Sequence, residues 1–245
     1  MHAVSQAYCE SRKSAELIAV ENYPSEALSR DEAFQIQEEV AGEFGPVAAW
    51  KVAFDPEGTS IYAPIFKSDV KESGATFFEN GAGIPLGIEV ELAFELAKDI
   101  TEAPASDEEL KASISRVLMV IELVGSRLAD PAAADLNLKI ADNLTNMGFI
   151  IGDEVKNVDP AALEEQTLKL VIDGKTIIDG ATKCGTGNPF NVFKAAAAKI
   201  GGHIGGFKAG QIVTCGTFSG CTFYPVGSKV EAEFPVLGTK VSAVI

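Results

Sequence analysis

Gly87-Ile88-Glu89-Val90-Glu91-Leu92-Ala93-Phe94 is the stretch on which the fold turns. Its apolar and acidic residues alternate, and in a β-strand residues two apart share a face. Ile88, Val90 and Leu92 then face one side, with Glu89, Glu91 and Ala93 on the other. By itself the acidic side reads as the solvated face of a half-exposed strand, because charged side chains are usually exposed. A second stretch, Val117-Leu118-Met119-Val120-Ile121-Glu122-Leu123-Val124-Gly125, is apolar on both faces except at Glu122. That is the pattern of a strand covered on both sides. A lone carboxylate there must shift its pKa upward, pair with a base such as Arg127, or bind a metal. If Glu89, Glu91 and Glu122 converge, their like charges need neutralising, and a divalent ion does this. Oxygen-only ligands favour Mg²⁺ or Mn²⁺ over zinc, and three protein ligands on a six-coordinate ion leave about three positions open.

Outward from these strands, the chain divides by pattern. Residues 1–46 read as a helical N-terminal segment. Ser29-Arg30-Asp31-Glu32 has the form of a capping box, Ala33, Ile36, Gln37 and Val40 follow at helical spacing, and Phe44-Gly45-Pro46 stops the helix. From 47 to 245 short runs rich in Val, Ile and Phe alternate with Gly, Asp and Pro turns, the mark of a β-rich domain. A second capping box, Ser106-Asp107-Glu108-Glu109, predicts a helix over about 107–117. Asn188-Pro189 opens another, closed by Gly201-Gly202. Asp173-Gly174 between two apolar runs signals a type I′ hairpin. Further strands are expected at about 211–215, 228–234 and 239–244.

Three more groups carry candidate chemistry. Lys51, in Ala48-Ala49-Trp50-Lys51-Val52-Ala53-Phe54, has apolar immediate neighbours. It is either a snorkelling strand lysine or a partly desolvated amine with a lowered pKa, suited to proton transfer. Thr214-Cys215-Gly216-Thr217-Phe218-Ser219-Gly220 is either an ordinary strand connection or a place where backbone N–H groups and the Thr217 hydroxyl hold a carboxylate. Asp142-Asn143 are polar residues whose spacing does not settle a role.

The 245 residues suffice for one sizeable core, and 47% hydrophobic with 22% charged residues is an ordinary globular composition. A net charge of −15 argues against nucleic-acid partners. No apolar run approaches the roughly 20 residues of a membrane-spanning helix. The first residues lack a basic flank followed by an apolar segment, so a cytoplasmic location is expected. Cys9, Cys184, Cys215 and Cys221 form no Cys-x-x-Cys pair and read as free thiols. The only histidines are His2 and His203, so nucleophile–histidine chemistry would have to use His203.

Read in order, Leu28–Gln37, Trp50-Lys51-Val52, Ile88–Phe94, Ile121–Arg127, Ala141-Asp142-Asn143, Gly187-Asn188-Pro189 and Thr214–Thr217 resemble the 2-keto-4-pentenoate hydratase and 4-oxalocrotonate decarboxylase branch of the fumarylacetoacetate hydrolase superfamily. The resemblance implies an α+β fold, a mixed β-roll catalytic domain with a small helical N-terminal part, assembled as a homo-oligomer. It implies that Glu89, Glu91 and Glu122 bind Mg²⁺ or Mn²⁺, and that Lys51 is catalytic. Thr217, Gly216 and Asp142 would contact a small 2-oxo acid, a 2-hydroxydienoate or its tautomer from aromatic-compound degradation. The reaction implied is that of a hydro-lyase. The alternatives are a decarboxylase acting on an oxalocrotonate-like diacid and a non-catalytic homologue that binds metal or oxo acid. The segment Ala53–Gly58 departs from the family, which usually has a glycine two residues after the lysine and then a Thr-Ser pair.

Overall fold

The computed structural model describes residues 1–24, 26–78 and 84–245. Two helices, α1 (Ala3–Ser14) and α2 (Arg30–Phe44), precede the first strand. The capping box of α2 forms as the sequence predicts: the Ser29 hydroxyl accepts from the Glu32 amide, and the Glu32 carboxylate accepts from the Ser29 amide. Each interaction satisfies an amide that the first helical turn leaves without a partner. Ala33, Ile36 and Val40 form the buried stripe of α2 and pack with Val4 and Tyr8 of α1.

The strands are β1 (Val47–Phe54), β2 (Ser60–Phe66), β3 (Val70–Glu72), β4 (Leu86–Leu96), β5 (Ile114–Val124), β6 (Asn146–Val155), β7 (Glu165–Ile172), β8 (Lys175–Lys183), β9 (Ile212–Thr217), β10 (Thr222–Tyr224), β11 (Lys229–Phe234) and β12 (Thr239–Val244). The larger sheet runs β2-β1-β9-β4-β5-β6-β3, with β10 paired to β4. It is mixed: β1 pairs with β9, and β3 with β6, in parallel, while its other pairs are antiparallel. The smaller sheet runs β12-β11-β7-β8. Asp173 and Gly174 both take positive φ at the β7–β8 turn, the geometry of the predicted hairpin.

Three short helices complete the fold: α3 (Asp107–Lys111), α4 (Leu136–Ala141) and α5 (Pro189–Ala197). The helix expected over 107–117 ends at Lys111. Its cap forms, with Ser106 accepting from Glu109. Residues from Ile114 onward are instead taken into β5, where Ile114 and Arg116 pair with Leu96 and Glu95 of β4. Pairing along a long buried strand outweighs the local helical preference that a cap confers.

Sheet alternation sorts the core. Trp50, Val90, Leu92, Ile121 and Leu123 face the smaller sheet and α5, meeting Leu168, Leu170, Phe193, Val230 and Phe234. On the opposite face Ala49, Ile65, Ala93, Leu118, Val120, Phe149 and Ile212 form a separate apolar layer. Lys51, Glu91 and Glu122 lie two residues along from Ala49, Ala93 and Val120, so they share that face. The N-terminal helices join Ile61, Ala63 and Phe66 of β2, with Leu128 and Ile140, in one cluster, which seats them on the larger sheet. Among the described residues no helix is long and apolar enough to cross a membrane.

Candidate metal centre

Register brings the three glutamates together. Glu89 of β4 stands directly opposite Glu122 of β5. Glu91, two residues further along β4, stands opposite Val120 on one side and Thr217 of β9 on the other. One carboxylate oxygen from each glutamate lies within 4.8 Å of the others. Glu122 is fully buried and Glu91 nearly so, while Glu89 is partly open. The solvated acidic face that alternation alone suggested is thus excluded, because both faces of β4 are covered.

The cluster is held in a particular way. Lys51 Nζ lies 2.9 Å from Glu122 Oε1 and 3.4 Å from Glu89 Oε2. Asn146 Nδ2 donates to the same Glu122 oxygen at 2.9 Å. Glu91 Oε2 accepts from the Thr214 hydroxyl and, at 3.1 Å, from the Gly216 amide. Gly216 has φ near +122°, and a Cβ there would lie 2.1 Å from Thr186 Oγ1, so the position requires glycine. These donors crowd one oxygen of each buried carboxylate. The other oxygen of Glu122, Oε2, is buried without a hydrogen-bond partner.

Electrostatics follow from the geometry. Burial, with the fields of Glu122 and Glu89, pushes the Glu91 carboxyl up to about 8. Burial likewise raises Glu122, partly offset by Lys51. Of the two sequence-based alternatives for Lys51, the one with a lowered pKa is not what the geometry favours. Burial alone would lower it, but Glu122 and Glu89 outweigh that and hold the ammonium above its ordinary value. Three carboxyl groups face one ammonium, and excess negative charge builds up in this buried place as Glu91 ionises. An orphaned carboxylate oxygen and an all-oxygen donor set therefore fit a hard divalent cation, which Glu89, Glu91 and Glu122 could hold.

The remaining candidates take other places. Asp142 is buried, and both its oxygens are engaged: Oδ1 by Arg127 Nη1 at 2.9 Å, Oδ2 by the Ser126 hydroxyl at 2.8 Å and the Arg127 amide at 3.0 Å. All three of these hydrogen bonds come from Ser126 and Arg127. Asp142 thereby fixes Arg127, which also donates to the Asn146 carbonyl at 3.1 Å, so this ion pair supports the residue that supports Glu122. Gly216 likewise spends its amide on Glu91. The Thr217 hydroxyl is half-buried; it bonds to Ser219 and Gly220 in the following loop and donates to the Val90 carbonyl of β4 at 3.4 Å.

Sequence reading did not single out Asn146 and Thr214 as supports. The signal for Asn146 was a polar residue opening an otherwise apolar strand, and Thr214 lay within the candidate segment Thr214–Gly220 without a role of its own. Asn143, Leu144 and Thr145 all carry positive φ immediately before Asn146, a left-handed turn that delivers it. His203 belongs elsewhere. Its ring lies between Gln37 and Glu38 and against Phe34, Trp50 and Tyr62, on the face opposite Lys51.

The chain is 26% identical over 171 residues to 2-hydroxyhexa-2,4-dienoate hydratase of Comamonas testosteroni, covering 69% of this chain and 64% of that protein. It is 26% identical over 188 residues to 2-keto-4-pentenoate hydratase of Paraburkholderia xenovorans, covering 70% of this chain and 67% of that one. Its fold matches 4-oxalocrotonate decarboxylase from Pseudomonas putida G7, solved with magnesium and adipate, at a TM-score of 0.79 and 17% identity over 98% of this chain and 95% of the other. Fumarylpyruvate hydrolase from Pseudomonas aeruginosa, solved with Mn²⁺ and pyruvate, matches at 0.54 and 13% identity over 80% and 88%. Residues 64–245 match the profile described as fumarylacetoacetate (FAA) hydrolase C-terminal, and the chain therefore belongs to the fumarylacetoacetate hydrolase family.

Proposed function

We propose that the protein is a divalent-metal-dependent hydro-lyase acting on a 2-hydroxydienoate or its 2-oxo-enoate tautomer. The observation that carries this reading is the unpartnered, buried Glu122 Oε2 beside Glu89 and Glu91, with Lys51 Nζ 2.9 Å from the other oxygen of Glu122. The likeness to two diene hydratases supports it. Mg²⁺ or Mn²⁺ held by Glu89, Glu91 and Glu122 would supply Lewis-acid stabilisation of an enolate at C2.

The protein's own groups do the rest. Thr214, Gly216 and Asn146 fix the carboxylates before substrate arrives, so little reorganisation is needed at the moment of reaction. Lys51 enters protonated in this acidic field. It gives a proton to the remote carbon of the dienol and takes up the proton that the C2 hydroxyl releases, so the net change is a proton shift to an α,β-unsaturated ketone, to which water then adds. Thr217, across from Glu91, borders the substrate space. The same reading includes a homo-oligomer, checked by sedimentation velocity.

The test is loss of diene absorbance from 2-hydroxypenta-2,4-dienoate or its six-carbon homologue with Mn²⁺. Turnover that Lys51→Met abolishes supports the reading; no turnover of either substrate refutes it. A second reading, decarboxylation of an oxalocrotonate-like diacid, is favoured by the structural likeness to the decarboxylase over nearly the whole chain. CO₂ release separates the two.

A further inference from the structure

The floor of the carboxylate cluster is closed. Ala49, Ala93 and Val120 fill the same strand faces two residues along from Lys51, Glu91 and Glu122, and Phe149 stands across from Glu122 on β6. A 2-oxo acid whose head lies at the glutamates must therefore extend its tail toward the other ends of these strands. Two residues beyond Glu89 on that face is Gly87, and two beyond Glu122 is Val124. Gly87 pairs directly with Phe223 of β10. A Cβ on Gly87 would lie 2.5 Å from Cys221 Sγ, 3.1 Å from Val124 Cβ and 3.4 Å from Phe223 Cζ. The thiol and the ring thus occupy the space that a side chain at position 87 would fill. Phe223 remains 56% exposed, an aromatic ring open to solvent at the mouth of an acidic site.

We infer that Gly87, Val124, Cys221 and Phe223 form an apolar rim that selects a 2-oxo acid with an uncharged tail, with Phe223 the specificity-determining residue. The inference rests on the 2-oxo-acid reading above. A second carboxylate on the tail would meet a rim that, among the described residues, is built of Gly87, Val124, Cys221 and Phe223, none of them cationic. The two cations tied to the site are already committed, Lys51 to Glu122 and Glu89, and Arg127 to Asp142. An unpaired charge against apolar surface is disfavoured, whereas an alkyl or vinyl tail gains by covering the ring.

The test is calorimetry on the Mn²⁺-loaded protein with three inert acids: pyruvate, 2-oxohexanoate and 2-oxoadipate. The last two match in length and differ in the terminal carboxylate. The expected result is 2-oxohexanoate binding at least about tenfold more tightly than 2-oxoadipate. Phe223→Arg, at an exposed position, should reverse or narrow that ratio by about tenfold or more, and Phe223→Ala should weaken 2-oxohexanoate alone. Pyruvate, which has no tail to reach the rim, should bind all three proteins alike. Equal or tighter binding of 2-oxoadipate by the wild type, or a ratio unchanged in Phe223→Arg, overturns the rim while leaving the 2-oxo-acid reading intact. Binding of none of the acids to a protein that binds Mn²⁺ overturns both.

Discussion

Glu122→Gln is the most informative single change, because it removes one charge and almost no volume. The three carboxylate oxygens lie within 4.8 Å of one another, so each ionised pair repels by at least about 3.5 kcal/mol at an effective dielectric of about 20. Lys51 offsets part of this, while burial first, and then the fields of Glu122 and Glu89, hold the Glu91 carboxyl raised. A divalent ion that relieves the repulsion binds the native state and not the unfolded chain. At a concentration about 100 times its Kd, it should stabilise the wild type by about 2.7 kcal/mol. For a chain of this size that is a Tm rise of roughly 5–11 °C. Losing a charged, buried holder should weaken binding by about 100-fold or more, since changes one layer further out already cost 10–100-fold. At the same metal concentration the variant should then gain only about 0.4 kcal/mol, or roughly 1–2 °C. The assay is differential scanning fluorimetry with and without Mn²⁺, reading the metal-induced rise so that any change in baseline stability cancels. An equal rise in wild type and variant, or none in the wild type at millimolar Mn²⁺, refutes the assignment of these residues to a metal.

Other outcomes follow from the same geometry. Because Glu91 is pushed up to about 8, it must shed a proton to hold a cation. Mn²⁺ affinity should therefore fall about tenfold per pH unit below 8, and calorimetry in buffers of different ionisation enthalpy should show close to one proton released near pH 6.5. Lys51→Met should lower kcat by about 10²–10⁴-fold while tightening Mn²⁺ binding, because a competing ammonium is gone; steady-state rates and a metal titration check both signs. Asp142→Ala strands the buried Arg127 and should destabilise the fold by about 3–5 kcal/mol in urea unfolding. Asn146→Ala should weaken metal binding about 10–100-fold, through Glu122, in a direct Mn²⁺ titration.

Local patterns were legible wherever the chemistry is local. The Ser29 box, the Asp173-Gly174 turn and the alternation through Ile88–Phe94 all appear where their residues predict them, because caps, turns and pleats are set by neighbours in sequence. The helix drawn through residue 117 failed for the complementary reason. Its cap is local, but the pairing of Ile114 and Arg116 with β4 is not. Among the candidate residues, Asp142 and Gly216 were legible as polar groups near the site. That their hydrogen bonds are already spent on Arg127, Ser126 and Glu91 was not.

The sequence by itself determined the identity of the charged residues, their alternation along two strands, and the hardness of any cation that three carboxylates would accept. Only the tertiary structure decided that Glu89 stands across from Glu122, that both faces of β4 are covered, and that Lys51 reaches in from β1. The physical reason is that period-two spacing fixes which residues share a face, while register between strands distant in the chain fixes which faces meet. The sign of the Lys51 shift depends on the second and not the first, since burial pulls it down and only opposing carboxylates hold it up.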